Sequence, residues 1–207
     1  MSQHDELADK PVKVTFSEPK ILAKGFRDYH RYQMTVRSED APPFSQERDV
    51  LMAGKVVVVM PIDVDRQEII LIRQFRLAAH MANARGDLVE FVAGRVEPKE
   101  SLTDAAQREC REEIGVDPKK IVRLLRYLPT PGITDEEITV FLGSVDSAAV
   151  QEGSRTTTEG ERLYICRVPI EHAIRALNGD AVCTSQVVIG LQWLVLNHER
   201  LPKLLRA

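Results

Sequence analysis

Apolar and polar positions alternate along most of this chain in short runs with a period near two, and one longer run follows a helical period. Residues 13–16, 20–26 and 30–37 mix apolar and polar positions and predict short strands, and residues 40–44 (Asp-Ala-Pro-Pro-Phe) predict a loop. Residues 55–62 are β-branched almost throughout, which predicts a buried strand. Residues 63–66 turn the chain, and 68–73 (Glu-Ile-Ile-Leu-Ile-Arg) read as the hairpin partner. Residues 87–93 predict another strand running into Gly94. Residues 101–114 carry the strongest helical pattern, with Leu102, Ala105, Ala106, Cys110 and Ile114 on one stripe. Ser101 with Asp104 three residues on predicts its cap, and Gly115 its stop. Strands follow at 121–128, 138–145 and 162–168, with a long exposed loop at 147–160. Helices follow at 170–177 and 185–201, the second with Val188, Leu191, Leu194 and Leu196 near one face and Trp193 among them. Strands alternating with a few helices predict an α/β fold around a mixed sheet.

Composition narrows the function classes. The 207 residues are 43% hydrophobic and 29% charged, which describes a globular chain able to bury a core. The longest apolar run, residues 56–62, is too short to span a bilayer. Residues 1–20 are polar and charged, which predicts no secretory leader. The net charge of −3 argues against general binding to nucleic acid or to a membrane surface. Cys110, Cys166 and Cys183 are far apart and odd in number, which predicts reduced thiols and a cytoplasmic protein. The five histidines show no metal-ligand spacing, so a bound metal would have to be a hard one on carboxylates.

The acids are concentrated. Residues 94–116 hold six acids and four bases. On the helix of residues 101–114, Glu109 and Glu113 fall at the edge of the apolar stripe one turn apart, with Glu112 beside them. Arg108 can reach Glu112 at i+4, Arg111 lies on the solvent side, and Glu109 and Glu113 have no evident basic partner on their own helix. A carboxylate near the buried side of a helix is costly unless paired. Two readings fit: a charged face bridged to other elements, or carboxylates converging on magnesium or manganese.

The spacing bears on that choice. Gly94, Glu100, Arg108-Glu109, Glu112-Glu113 and Gly115-Val116 resemble the Nudix box, G-x5-E-x7-R-E-U-x-E-E-x-G-U, at every fixed position. Cys110 departs from a bulky aliphatic position but packs as a small hydrophobe. The resemblance implies a Nudix-type α/β/α sandwich around a mixed sheet. It implies hydrolysis of a pyrophosphate linkage in a nucleoside diphosphate joined to another group. It also implies Mg2+, with Mn2+ as a substitute, on Glu109, Glu112, Glu113 and the Ala93 carbonyl. Glu112 and Glu113 would serve catalysis directly, and Glu100 and Arg108 would orient the loop and helix.

Outside the box the chain resembles the ADP-ribose pyrophosphatase branch over roughly residues 45–200. Pro131 lies 15 residues after Val116, Leu-Ile-Arg-Gln-Phe-Arg ends at Arg76, and Leu-Val-Glu-Phe-Val-Ala-Gly runs into the box. Thr158-Glu159-Gly160-Glu161 and Gly190-Leu-Gln-Trp-Leu194 match further segments. The branch implies pyrophosphate contact by Arg76, adenine or phosphate contact by Arg48, and a substrate-binding place for Pro131. It implies positioning or deprotonation of the attacking water by Glu159, assisted by Glu161. Bland readings stand beside these: a surface arginine, a loop charge, a common turn and a solvated acidic loop. Glu90 is either a secondary ligand or a hydrogen-bond partner, and Trp193 reads as core. The region with Phe26, Arg27, Tyr29, Arg31 and Tyr32 matches least; in the branch it exchanges between subunits and helps hold adenine. The expectation is residues 1–45 as an N-terminal β-strand extension forming a homodimer, and residues 46–207 as a Nudix hydrolase domain cleaving ADP-ribose to AMP and ribose 5-phosphate. GDP-mannose or ADP-glucose hydrolysis, or a non-catalytic nucleotide sensor, are the rivals.

Overall fold

A computed structural model describes residues 7–38, 41–158 and 160–206. The chain divides into two compact units, Met1–Ala53 with Thr130–Glu136, and Gly54–Pro129 with Glu137–Ala207.

The first unit is a four-stranded antiparallel sheet of β1 (Lys13–Phe16), β2 (Lys20–Ala23), β3 (Tyr29–Arg37) and β4 (Phe44–Leu51). β1 and β2 share one edge of β3, and β4 takes the other edge. Directly opposed residues share a face. Val14, Phe16, Ile21, His30, Tyr32, Met34, Val36, Phe44 and Val50 therefore lie on one face. The opposite face is polar, with a bidentate Arg31–Asp49 pair at 2.6 and 2.7 Å and a Thr35–Ser45 hydroxyl contact at 2.7 Å. The strand β4 falls partly in a stretch predicted as a loop and otherwise unread. Its polar centre, Ser-Gln-Glu-Arg-Asp, hides the alternation, and pairing along β3 makes it a strand. In the same unit, Leu51 N–H donates to the Ile133 carbonyl at 2.8 Å and Ala53 N–H to Asp135 Oδ1 at 2.6 Å.

The second unit is a mixed α/β sandwich, as the pattern predicts. Its strands are β5 (Lys55–Asp63), β6 (Glu68–Phe75), β7 (Asp87–Glu90), β8 (Val92–Arg95), β9 (Lys120–Tyr127), β10 (Glu137–Ser144), β11 (Gly153–Thr156) and β12 (Arg162–Pro169). They form one sheet in the order β11-β12-β6-β5-β10-β9, with β5 and β10 parallel and the other pairs antiparallel. Helix α2 (Leu102–Glu113) covers one face, where Val57, Val59, Ile70, Ile72, Leu163 and Ile165 meet Ala105, Ala106, Cys110 and Ile114. Helices α3 (Ile170–Arg175), α4 (Ser185–Asn197) and α5 (Leu201–Leu205) cover the other, against Val58, Met60, Ile62, Ile69 and Leu71. The even and odd residues of β5 and β6 thus feed opposite layers.

Several boundaries differ from the pattern-based ones. The run 87–93 is two strands, not one. β5 and β6 pair only at Ile62–Ile69 and Asp63–Glu68; beyond that, β7 pairs with β6 and β8 with β5. Phe91 is the joint, fully buried, so periodicity alone could not mark the break. Helix α1 (Leu77–Asn83) went unread because no residue of it is buried and no apolar stripe forms. Residues 147–160 are not an open loop: they hold a short 3-10 turn (Ser147–Ala149) and β11, with Ser147 and Val150 buried. In α4 the inward residues are Val187, Gly190, Leu191 and Leu194, while Leu196 is 82% exposed. Trp193 packs against the core, as read. No helix among the described residues is long and apolar enough to cross a membrane.

Candidate active site

Strand β8 delivers the box glycine onto the face where α2 packs. β8 pairs with β5 so that Val59 opposes Val92 and Val57 opposes Gly94. Glu109 lies directly over Gly94: a Cβ built there would overlap the Glu109 carboxylate. Only a glycine leaves room for that carboxylate. Ser101 caps α2 as predicted, its Oγ accepting from Asp104 N–H at 3.1 Å. Gly115 ends it with φ +78°.

The acids on α2 differ in what holds them. Arg108 donates to both oxygens of Glu100 at 2.9 and 3.1 Å and to the Arg95 carbonyl at 2.8 Å, which pins the loop to the helix. Its Nη1 also reaches Glu109 Oε1 at 2.7 Å and Glu112 Oε2 at 3.0 Å. The Glu112 contact is the one predicted. The Glu109 contact corrects the expectation that Glu109 lacks a basic partner on its own helix; Glu109 follows Arg108 directly, and the arginine folds back over it. Among the described residues, Glu113 receives one hydrogen bond, from Ala93 N–H to Oε2 at 3.2 Å. Glu109 and Glu113 are 8% and 5% exposed. Burial first, and the charge of Glu109 next, push the Glu113 carboxyl well above the usual carboxylate range, with the Ala93 N–H opposing and Glu161 and Glu90 adding to the rise. The Arg108 contacts, opposed in part by burial, hold Glu100 below that range.

Arg76 and Glu90 form a second cluster on this face of β6 and β7. Arg76 Nε and Nη2 fork onto Glu90 Oε1 and Oε2 at 2.9 and 2.8 Å. Glu90 is buried and serves as a hydrogen-bond partner, one of the two roles left open for it. Glu90 raises the Arg76 guanidinium; burial opposes that rise, while Glu161 and Glu113 add to it. Glu161 is half-buried in a turn in which Thr157 N–H donates to the Glu161 carbonyl at 2.9 Å and Glu161 N–H donates to Thr157 Oγ1 at 3.2 Å. Its charge is felt at both Glu113 and Arg76. Glu159 lies outside the described residues.

The second unit thus brings together Ala93, Glu109, Glu112, Glu113, Arg76 and Glu161. Arg48 and Pro131 belong to the first unit. There Arg48 is exposed, opposite Tyr32 in the β3–β4 ladder, with Nη1 on the Glu47 carbonyl at 2.8 Å. Pro131 is exposed within a turn in which Ile133 and Thr134 N–H both donate to the Thr130 carbonyl.

Two residues escaped the sequence reading. Gln74, two positions before Arg76, is 6% exposed, and its Oε1 has no hydrogen-bond partner among the described residues. A polar residue at an inward position of β6 was the available signal. Arg155, read as part of an exposed loop, donates from Nε to the Glu112 carbonyl at 2.9 Å and from Nη2 to the Arg111 carbonyl at 3.3 Å.

As they stand, no three His, Cys, Asp or Glu side chains among the described residues are arranged to hold a metal ion. The donor set fits a hard divalent cation all the same: every side-chain donor is a carboxylate oxygen, and Glu113 is buried with a single N–H to offset its charge.

The Nudix domain family model matches residues 52–185. The chain belongs to the Nudix family. Like this chain, the ADP-ribose pyrophosphatase of Escherichia coli (strain K12) is a relative, 34% identical over 154 residues, or 74% of each protein. That of Haemophilus influenzae (strain Rd) is 34% identical over 159 residues, 75% of this chain and 73% of that protein. A GDP-mannose pyrophosphatase of Escherichia coli O1:K1 is 23% identical over 188 residues, 90% of this chain and 97% of that protein. The crystal structure of an ADP compounds hydrolase shares the fold, with a TM-score of 0.66 at 19% identity over 92% of this chain and 98% of that one. The Nudix-type fold and the family expected from the box are both borne out.

Proposed function

We propose that the protein hydrolyses the pyrophosphate linkage of ADP-ribose to AMP and ribose 5-phosphate. The observation that carries this is the pair of buried carboxylates Glu109 and Glu113 one turn apart on the box helix, with the charges of Glu161 and Arg76 acting on Glu113. The two ADP-ribose pyrophosphatase relatives support the substrate.

Glu109, Glu112 and Glu113, with the Ala93 backbone, would hold Mg2+ or Mn2+. When bound, the cation neutralises pyrophosphate charge and lowers the pKa of a bound water. The chain's own groups do the rest. With Nε and Nη2 held by Glu90, Arg76 would offer Nη1 and the outer Nη2 N–H to the pyrophosphate oxygens. Glu159 would position or deprotonate the attacking water, with Glu161 assisting. Arg48 and Pro131 remain proposed substrate contacts. The test is magnesium-dependent release of AMP from ADP-ribose, run beside GDP-mannose, ADP-glucose, dinucleotides and 8-oxo-dGTP. Binding without turnover of any of them would replace the enzyme with a nucleotide sensor.

One observation favours GDP-mannose as the rival substrate: the similarity to a GDP-mannose pyrophosphatase spans 188 residues, against 154 for the E. coli ADP-ribose enzyme. A higher kcat/KM for GDP-mannose in the same panel would decide for it.

A homodimer formed through residues 1–45 is part of the proposal. The apolar face of the first unit supports it, with Phe16 67%, Phe44 51% and Ile21 48% exposed. Changing Phe16 and Phe44 to Glu should give a monomer in sedimentation, and an unchanged mass would reject this interface. Cytoplasmic placement is proposed on Cys110, Cys166 and Cys183, all free thiols. A small-molecule substrate, with no nucleic acid or membrane, completes the reading.

A further inference from the structure

We propose that Arg155 is a positioning residue that fixes the turn carrying Glu161 against the C-terminal end of α2. The inference rests on reading the α2 acids and Glu161 as one hydrolytic site.

The hairpin that leads into this turn is weakly held by its backbone. β11 has four residues, lies at the sheet edge and pairs with β12 alone. Short edge strands add little stability of their own. Side chains fasten it at both ends. At the end away from the turn, Glu152 accepts from Arg167 N, Nε and Nη2 at 3.0, 3.1 and 2.9 Å. At the end beside the turn, Arg155 places its fork on the Arg111 and Glu112 carbonyls, the last turn of α2. Such carbonyls lack intrahelical donors, and a cation is favoured there.

Three features make this contact specific. Gly115 leaves the space for it: a Cβ at Gly115 would lie 2.8 Å from Arg155 Nη1. Glu112 is shared, since its carbonyl holds Arg155 while its carboxylate holds Arg108. Register places the right groups on one face. Arg155 opposes Leu163, which is buried against α2, and Glu161 lies two residues before Leu163. The Thr157 N–H to Glu161 carbonyl bond then extends the β11–β12 ladder by one step, two residues from Arg155. A shift of Arg155 is therefore passed along two residues of chain and the Thr157–Glu161 bond to Glu161, whose charge reaches Glu113 and Arg76.

A helix cap with no role in the reaction would also bind these carbonyls, so the test must separate the two. Steady-state kinetics on ADP-ribose with Mg2+, and Mn2+ binding by paramagnetic resonance, are measured for Arg155→Ala, Glu161→Gln and the double variant. Arg155→Ala should lower kcat about 10²-fold, the scale of an ångström-level misplacement, with KM within about twofold and Mn2+ affinity unchanged. The double variant should be no slower than Glu161→Gln alone, because both act through the same carboxylate. Arg155→Lys, a point charge without the fork, should stay within about threefold of Arg155→Ala. If the single losses multiply in the double variant, or Arg155→Ala lowers only the melting temperature, positioning is overturned while the active site stands. If Glu161→Gln turns over like the parent, the role of Glu161 and the positioning role both fall. Should Arg155→Ala not fold, Arg155→Gln, which keeps an amide donor toward the carbonyls, takes its place in the cycle.

Discussion

Asp63 and Glu113 are both carboxylates buried in the second unit, at 4% and 5% exposure, and their surroundings treat them in opposite ways. Asp63 sits at the β5–β6 turn and accepts five hydrogen bonds. They come from Asp65 N–H, Arg66 N–H, Arg66 Nη1, Ser147 N–H and Ser147 Oγ, at 2.8–3.0 Å. Burial works against its charge, but these donors outweigh burial and hold it far below the usual range. Glu113 has one N–H and a neighbouring acid, and burial pushes it up. Burial alone therefore does not mark a functional acid. A structural carboxylate is supplied with donors by the fold, whereas a carboxylate kept short of donors is one whose missing positive charge must come from elsewhere.

The largest effect expected from this contrast is on turnover. Glu113→Gln should lower kcat on the order of 10³-fold at saturating magnesium, since it removes an anionic ligand at the reacting centre. Its melting temperature should not fall, because a buried charge beside Glu109 is lost. A stopped assay for AMP and a thermal scan check both. Gly94→Ala comes next. The added Cβ must displace Glu109, and activity should drop about 10²-fold. Activity near that of the parent would show that the Glu109 position is not critical.

Asp63→Asn should leave kcat of the folded enzyme unchanged and cost about 3 kcal/mol of stability. The pH dependence carries the sign. The Asp63 pKa is lowered on folding, so its contribution is complete above its unfolded value of about 3.9 and is lost as pH falls below it. The parent should lose more stability than Asp63→Asn between about pH 4 and pH 2, measured by denaturant unfolding. The smallest effect separates the two acids by ligand. Magnesium at about ten times its dissociation constant adds about 1.4 kcal/mol, or about 4 °C. That rise should survive in Asp63→Asn and vanish in Glu113→Gln.

The box and its helix were readable because their logic is local. Spacing along one helix decides which carboxylates share a face, and Ser101, Asp104 and Gly115 mark its ends within a few residues. Strands with clear alternation or β-branching, such as β5 and β10, were readable for the same reason. β4 was hidden because its polar centre needs β3 to make it a strand. α1 was hidden because nothing in it is buried. In α4 an apolar run hydrophobic all round gave no phase, so Leu196 was placed inward when it points out.

By itself the sequence determined the family, the helix that carries the chemistry, and Glu109, Glu112 and Glu113 as its acids, because a fixed spacing on a helix dictates a shared face. Only the tertiary structure decided that Arg76 is forked by Glu90 and that Arg155 reaches the end of α2. These partners lie on different strands and helices, 14 residues apart for Arg76 and Glu90 and 43 for Arg155 and Glu112. Strand register and the divergence of β5 from β6 bring them together, and neither follows from a local pattern.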